Sequence, residues 1–155
     1  MLRFVSASFE GENATHSAWS DIYRLVDLRE QAGETKSVMR LSVSFAATQI
    51  PAGETFSCGV ELCALETDLA EAPQPLALPW VRENSASTAL RKIPLPGDGR
   101  WLDSSVEVRV SSRTRFVLVH LAVLRTKPYP PTGPVQFSGH YLDAVKLELL
   151  SQPAP

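Results

Sequence analysis

The side chains that could do chemistry are three histidines, two cysteines, three tryptophans, three tyrosines and seventeen acids. His16, His120 and His140 are far apart and show none of the H-x-x-x-H spacing that puts two imidazoles on one metal. His120 falls in the most apolar stretch of the chain, RFVLVHLAVLR, where a hydrogen-bonded core histidine is expected rather than a ligand or general base. His140, beside Tyr141 at a loop–strand junction, either lines a site or is solvated. Cys58 and Cys63 lack the C-x-x-C spacing of redox and zinc sites. Their odd separation on one strand sends them to opposite faces, so two buried free thiols are expected, in agreement with a reducing compartment. No G-x-S-x-G elbow, phosphate loop or dinucleotide fingerprint is present, and seventeen acids are too many for any one pair to point to glycoside hydrolysis. An enzyme is therefore the least supported class.

Binding is easier to build from these residues. Sugars lay their apolar C–H faces on exposed aromatic rings while polar neighbours fix the hydroxyls. Trp19, Trp80, Trp101 and Tyr129 fall on predicted loops, near Arg82, Glu83, Asn84, Arg100 and Asp103. Tryptophans that flank strands usually plug the ends of a core, and that role is expected for Trp19 and Trp101. Trp80 and Tyr129 are set among prolines and are the surface candidates. The resulting ligand-binding set is Trp80, Arg82, Tyr129 and His140.

The elements that must carry these residues read as strands. From Phe116 to Leu124 both alternate faces are apolar, which fits a strand covered on both sides or a short buried helix, and length and β-branching favour the strand. Phe116, Leu118, His120, Ala122 and Leu124 share one face; Val117, Val119, Leu121 and Val123 share the other. Leu2–Phe9, Val38–Ala47, Phe56–Leu65, Thr88–Leu95, Val106–Val110 and Tyr141–Leu150 add further strands. In the last, Val145, Leu147 and Leu149 are expected inward. Asp21–Arg29 fits either a helical stripe or a strand face with Tyr23, Leu25 and Asp27. Glu10–Ser20 is a polar loop. Glu66–Glu83 holds Pro73, Pro75 and Pro79 and is read as a surface loop with at most one short turn. Gly97-Asp98-Gly99 is a turn that uses glycine's tolerance of positive φ. Alternation with one polar face calls for antiparallel sheets packed face to face, so the expected fold is an all-β, antiparallel jelly-roll β-sandwich of about eight strands. The chain length suits one domain, residues 1–150, with a frayed tail over 151–155.

Net charge of -2 and a pI of about 5.9 give no basic excess for nucleic acid. No run of about 18 apolar residues exists to span a membrane as a helix. The N-terminus does not read as a signal peptide, so the expected location is cytoplasmic, or extracellular if a leader has been removed.

The two ends of the chain carry a resemblance. SFEGENATHSAW, Ser8–Trp19, resembles the opening of bacterial carbohydrate-binding modules with the galactose-binding-like jelly roll: a strand, Phe-Glu-x-Gly, then a Trp. YLDAVKL, Tyr141–Leu147, resembles their closing Tyr-Ile-Asp-Asp-Val strand, with Ala144 in place of the second Asp. Val38–Ala47 is similar to their core strand after a turn, here Ala32-Gly33, and Gly99-Arg100-Trp101 to their Gly-x-Trp. The resemblance implies a structural calcium with Glu10 and Asp143 as ligands. Calcium takes six to eight oxygens, which leaves most of the shell to other groups. The alternative is that both acids are polar strand-end residues bonding neighbouring amides.

The reading that follows is a non-catalytic binding module with a glycan as first partner. The rival is a protein-interaction or self-assembling subunit, a homo-oligomer included, docking through the stiff loops Pro73–Pro79 and Pro128–Pro134.

Overall fold

The computed structural model describes residues 1–4, 19–30, 37–127, 135, 137 and 139–151. Eight strands form two antiparallel sheets. In chain order they are β1 (Leu2–Arg3), β2 (Trp19–Asp27), β3 (Ser37–Ala47), β4 (Thr55–Leu65), β5 (Ser85–Leu95), β6 (Leu102–Val110), β7 (Phe116–Lys127) and β8 (His140–Ser151). One sheet runs β1-β8-β3-β6 and the other β2-β7-β4-β5. Successive strands alternate between the sheets for most of the chain, the jelly-roll order.

Alternation explains which side chains meet between the sheets. Met39, Leu41, Val43 and Phe45 of β3, Phe56, Cys58, Val60 and Leu62 of β4, and Val117, Val119, Leu121 and Val123 of β7 join one buried cluster. β7 lies between β2 and β4, with ladders on both edges, as its two apolar faces predict. Gly97 and Gly99 both have positive φ in the turn before β6, and Gly99 N–H donates to Ala47 O at 2.8 Å.

Several expectations are corrected. Asp21–Asp27 is strand, and β2 begins at Trp19, inside the expected loop. The tertiary ladder to β7 decides what local periodicity left open. Glu66–Glu83 contains a short 3-10 turn at Leu69–Glu71 and a helix, α1, at Leu78–Glu83. Pro79 sits at the start of α1, where its missing N–H costs nothing, and Asn84 ends the helix by donating its backbone and side-chain N–H groups to Trp80 O. Leu149 lies opposite the inward Met39 of β3, yet Val145 and Leu149 are both about half exposed, so the expected inward positions of β8 are only partly covered. Trp19 and Trp101 are also about half exposed and plug no core. The expected residues 5–9 of the first strand lie outside the described residues.

Candidate functional site

The outward face of the β2-β7-β4-β5 sheet changes character along its strands. Pairing across it sets up successive rows. Leu118 and Cys63 lie opposite one another; in the next row come Tyr23, His120, Glu61 and Leu90; in the next, Asp21, Ala122, Gly59 and Lys92. Leu124 and Ser57 follow, with Trp19 on the β2 side.

The first part is roofed. Val81 of α1 is fully buried with Cys63, Leu65, Phe116 and Leu118 in a second apolar cluster, and Trp80 packs against it half-buried. With Val81 turned into this cluster, the next residue, Arg82, reaches over the middle of the sheet. Its Nε and Nη2 donate to the two carboxylate oxygens of Glu61, each at 2.7 Å. Glu61 is only 2% exposed, and it also accepts from His120 Nδ1 at 2.8 Å. A carboxylate can only accept, so His120 carries its proton on Nδ1. Its Nε2 lies 3.5 Å from Asp21 Oδ2 and makes no hydrogen bond. Tyr23 stacks on the imidazole, centroids 4.6 Å apart and rings 7° from parallel, and donates its hydroxyl to Asp21 Oδ2 at 2.7 Å.

These contacts set the protonation states. Burial works to raise the Glu61 carboxyl, but the hydrogen bonds from His120 and Arg82 and the charge of Arg82 outweigh it and hold the group at about 2. Arg82 is raised, first by its hydrogen bonds to Glu61. Tyr23 is raised by burial and then by its bond to Asp21, so it stays a neutral donor.

Beyond this polar row lies a cleft of about 480 Å³. Gly59 and Ala122 form its floor, and Leu90, Leu124, Leu78 and Pro79 add apolar wall. Trp19 and Tyr23, both about half exposed, stand on the β2 side with Asp21, while Arg82 and Lys92 stand on the other. A Cβ on Gly59 would meet only Leu124 and Ala122, at 3.8 and 4.0 Å, and its φ is not positive, so neither backbone nor packing requires glycine. What its missing side chain does supply is depth to the cleft. A second cleft, at the far end of the sandwich, is lined by Arg29, Glu66, Arg113 and Arg115. There each arginine is matched, to Asp27, Glu66 and Asp68.

Of the residues expected to bind, Arg82 lines the first cleft, whereas Trp80 roofs the neighbouring cluster. His140 is neither solvated nor at a surface. It is fully buried at the end of the main core, 4.5 Å from the Phe56 ring, and donates Nδ1–H to Phe137 O at 3.0 Å. Burial lowers its basicity, against the smaller opposing effect of that bond. Tyr129 lies outside the described residues. His120 is buried and hydrogen-bonded as expected, but on the outward face. Sequence reasoning does not reach Asp21, Tyr23, Glu61 and Lys92 as site residues. One signal points to Glu61: it is the lone charge in FSCGVELCAL, a strand otherwise without any.

Glu10, the first implied calcium ligand, lies outside the described residues. Asp143 is half exposed; its Oδ1 accepts from Ala144 N at 2.8 Å and lies 3.3 Å from the Met1 ammonium. Among the described residues no group of three or more His, Cys, Asp and Glu side chains could hold a metal ion. Of the two implied ligands only Asp143 falls among the described residues, and its Oδ1 is already shared by the Ala144 amide and the Met1 ammonium. Among the described residues no helix is long and apolar enough to cross a membrane. No family model matches the chain, and no curated protein matches it.

Proposed function

We propose that this protein is a non-catalytic binding module whose ligand, a saccharide, lies in the cleft over Gly59 and Ala122. One observation carries the reading: exposed aromatic rings, Trp19 and Tyr23, stand beside Asp21, Arg82 and Lys92 over a floor of the smallest side chains. A pyranose needs the same three things, a ring or flat apolar surface for its C–H face, acceptors and donors for its hydroxyls, and room. The polar row beside the cleft supports a binding role over a catalytic one. His120 lines the cleft, but its Nδ1 is engaged by Glu61 and its Nε2 is a buried atom 3.5 Å from Asp21 Oδ2, so neither nitrogen is presented to the cleft as a general base would be. The jelly-roll strand order is compatible with kinship to galactose-binding-like modules, which belongs to the same proposal.

The test is saccharide binding by the intact protein and by Gly59→Leu. The added isobutyl group fills the floor from within, with no new charge. The expected result is a glycan-array signal for the parent protein, weakened at least tenfold in the variant. Equal binding by both would place the ligand elsewhere, and no signal for the parent would remove the saccharide reading. Repeating the binding with and without EDTA tests the structural calcium that the resemblance implies at Glu10 and Asp143; unchanged affinity and unchanged melting temperature would remove it.

The rival reading, docking to a protein or to a second copy, has its own support. Leu2 on β1 and Val145 and Leu149 on β8 are about half exposed, and Pro73, Pro75 and Pro79 are exposed in the loop before and at α1. A size-exclusion profile that stays monomeric at high concentration would count against self-assembly.

A further inference from the structure

The cleft is electrically lopsided, and its two sides differ in what is left to offer. On the β2 side the negative charge of Asp21 is already partly met. One carboxylate oxygen, Oδ2, takes the Tyr23 hydroxyl and faces His120, while Oδ1 remains as an acceptor. Glu61 contributes no free charge, since Arg82 and His120 bond both its oxygens. On the β5 side Lys92 is exposed, and among the described residues it has no ion-pair partner. Arg82 uses Nε and Nη2 on Glu61, and its side chain is still 45% exposed. Between the two sides run only Ala122 and Gly59. Three inter-strand steps put Asp21 and Lys92 about 14 Å apart at the backbone. The lysine stem shortens the gap to the reach of one or two sugar rings.

From this arrangement the geometry points to an acidic saccharide: a sugar whose carboxylate meets Lys92 and Arg82, whose hydroxyls meet Asp21, and whose C–H face lies on the Gly59–Ala122 floor against Trp19. The inference rests on the cleft being the saccharide site and adds the class of sugar. An exposed ammonium alone is a weak attraction in water. It gains when it closes on a carboxylate beside an apolar floor that excludes solvent, and when a planar guanidinium lies alongside. A neutral sugar would offer the two cations only uncharged hydroxyl oxygens, a weaker acceptor than a carboxylate.

The experiment is calorimetric titration of the intact protein with oligogalacturonate and with its methyl ester, which keeps every hydroxyl and removes the charge. Oligoglucuronate and neutral gluco-oligosaccharides form a second matched pair, and polyglutamate is the control for any polyanion. The expected result is acid forms binding at least tenfold tighter than their neutral counterparts, with affinity falling as salt rises. Lys92→Gln should erase most of that preference. Lys146→Gln, the same charge change on the other sheet beside Glu148, should leave it intact. Acid and neutral forms binding equally would overturn the inference and leave the saccharide reading standing. Polyglutamate binding as tightly as the uronates, or a preference that survives Lys92→Gln, would also overturn it. If neither acidic nor neutral sugars bind, both the inference and the reading under it fall.

Discussion

The inward and outward faces of the β2-β7-β4-β5 sheet are made by alternate residues of the same strands, yet they are buried by different means. Inward, β4 and β7 present Phe56, Cys58, Val60 and Leu62 and Val117, Val119, Leu121 and Val123 to the opposing sheet, and burial there is apolar against apolar. Outward, the same two strands carry Cys63, Glu61 and Gly59 beside Leu118, His120 and Ala122. That face is part roofed by α1, part filled by an ion pair, and part left open. The inward face follows from the need to hide oil. The outward middle does not, since a buried ion pair recovers little more than its own desolvation cost and often contributes less than well-packed hydrocarbon. Glu61, His120 and Arg82 therefore are not accounted for by burial of apolar surface, unlike the inward residues of the same strands.

The largest effect should come from the inward face. Phe56, 2% exposed and in contact with the rings of Phe137 and His140, should cost about 3–5 kcal/mol when replaced by Ala, by lost transfer energy and an unfilled cavity. Urea unfolding measures it. Affinity of the molecules still folded should be unchanged, because the cleft lies on the other side of the sheet. A loss under about 1 kcal/mol would mean that the sheets are not sealed against each other there.

Next comes the outward polar row. Glu61→Ala leaves Arg82 and His120 without their acceptor and should cost about 3 kcal/mol, reduced from the fully buried case because Arg82 is partly in water. Replacing the whole row, Glu61→Met with His120→Leu and Arg82→Met, should return stability to within about 1 kcal/mol of the parent while abolishing binding. If the apolar triple is instead the least stable of the set, the row is structural and the contrast between the faces fails. Acid separates the two faces as well. The Glu61 carboxyl, depressed from 4.5 to about 2, contributes stability that is complete above about 4.5 and is lost as pH falls toward about 2. In Glu61→Gln that part of the acid limb should flatten. His140, on the core side, is a base with lowered affinity for protons. The unfolded chain takes up its proton first, so stability begins to fall as pH drops below about 6.5, and this limb should persist in Glu61→Gln.

How far these faces are legible in the chain follows from the same physics. Period-two burial is written locally, so the alternation in Val38–Ala47 yields a strand and its inward residues, while the run Arg115–Arg125, apolar on both faces, yields a covered strand without showing which face turns to the opposing sheet. The cleft is written across strands. Asp21, His120, Glu61 and Lys92 are distant in sequence and meet only through register, which no single stretch carries. Trp19 reads wrongly as a core plug because a tryptophan at a strand end looks the same whether it caps a core or faces a cleft. His140 reads wrongly as a site or solvated residue because the aromatic cage that buries it comes from Phe56 and Phe137, the former on another strand. Glu61 alone has a local mark, an acid where every neighbour is uncharged, and such a residue is costly unless partnered.

The smallest effect uses the two cysteines, which report one face each. Both are free and buried, and burial pushes each thiol up to about 11, so neither should react with a thiol reagent near neutral pH while the chain is folded. Cys58 sits in the cluster between the sheets, whereas Cys63 is covered by α1, a six-residue helix held by Val81 and by Arg82 on Glu61. A short roof can lift without separating the sheets, and the sheets cannot separate without unfolding the protein. Labelling followed by mass spectrometry in mild urea should therefore modify Cys63 first, at a rate raised further by Arg82→Ala, while Cys58 follows global unfolding and ignores that substitution. Simultaneous modification of the two would show that the helix-roofed cluster opens only with the core, and that the two faces are one cooperative unit.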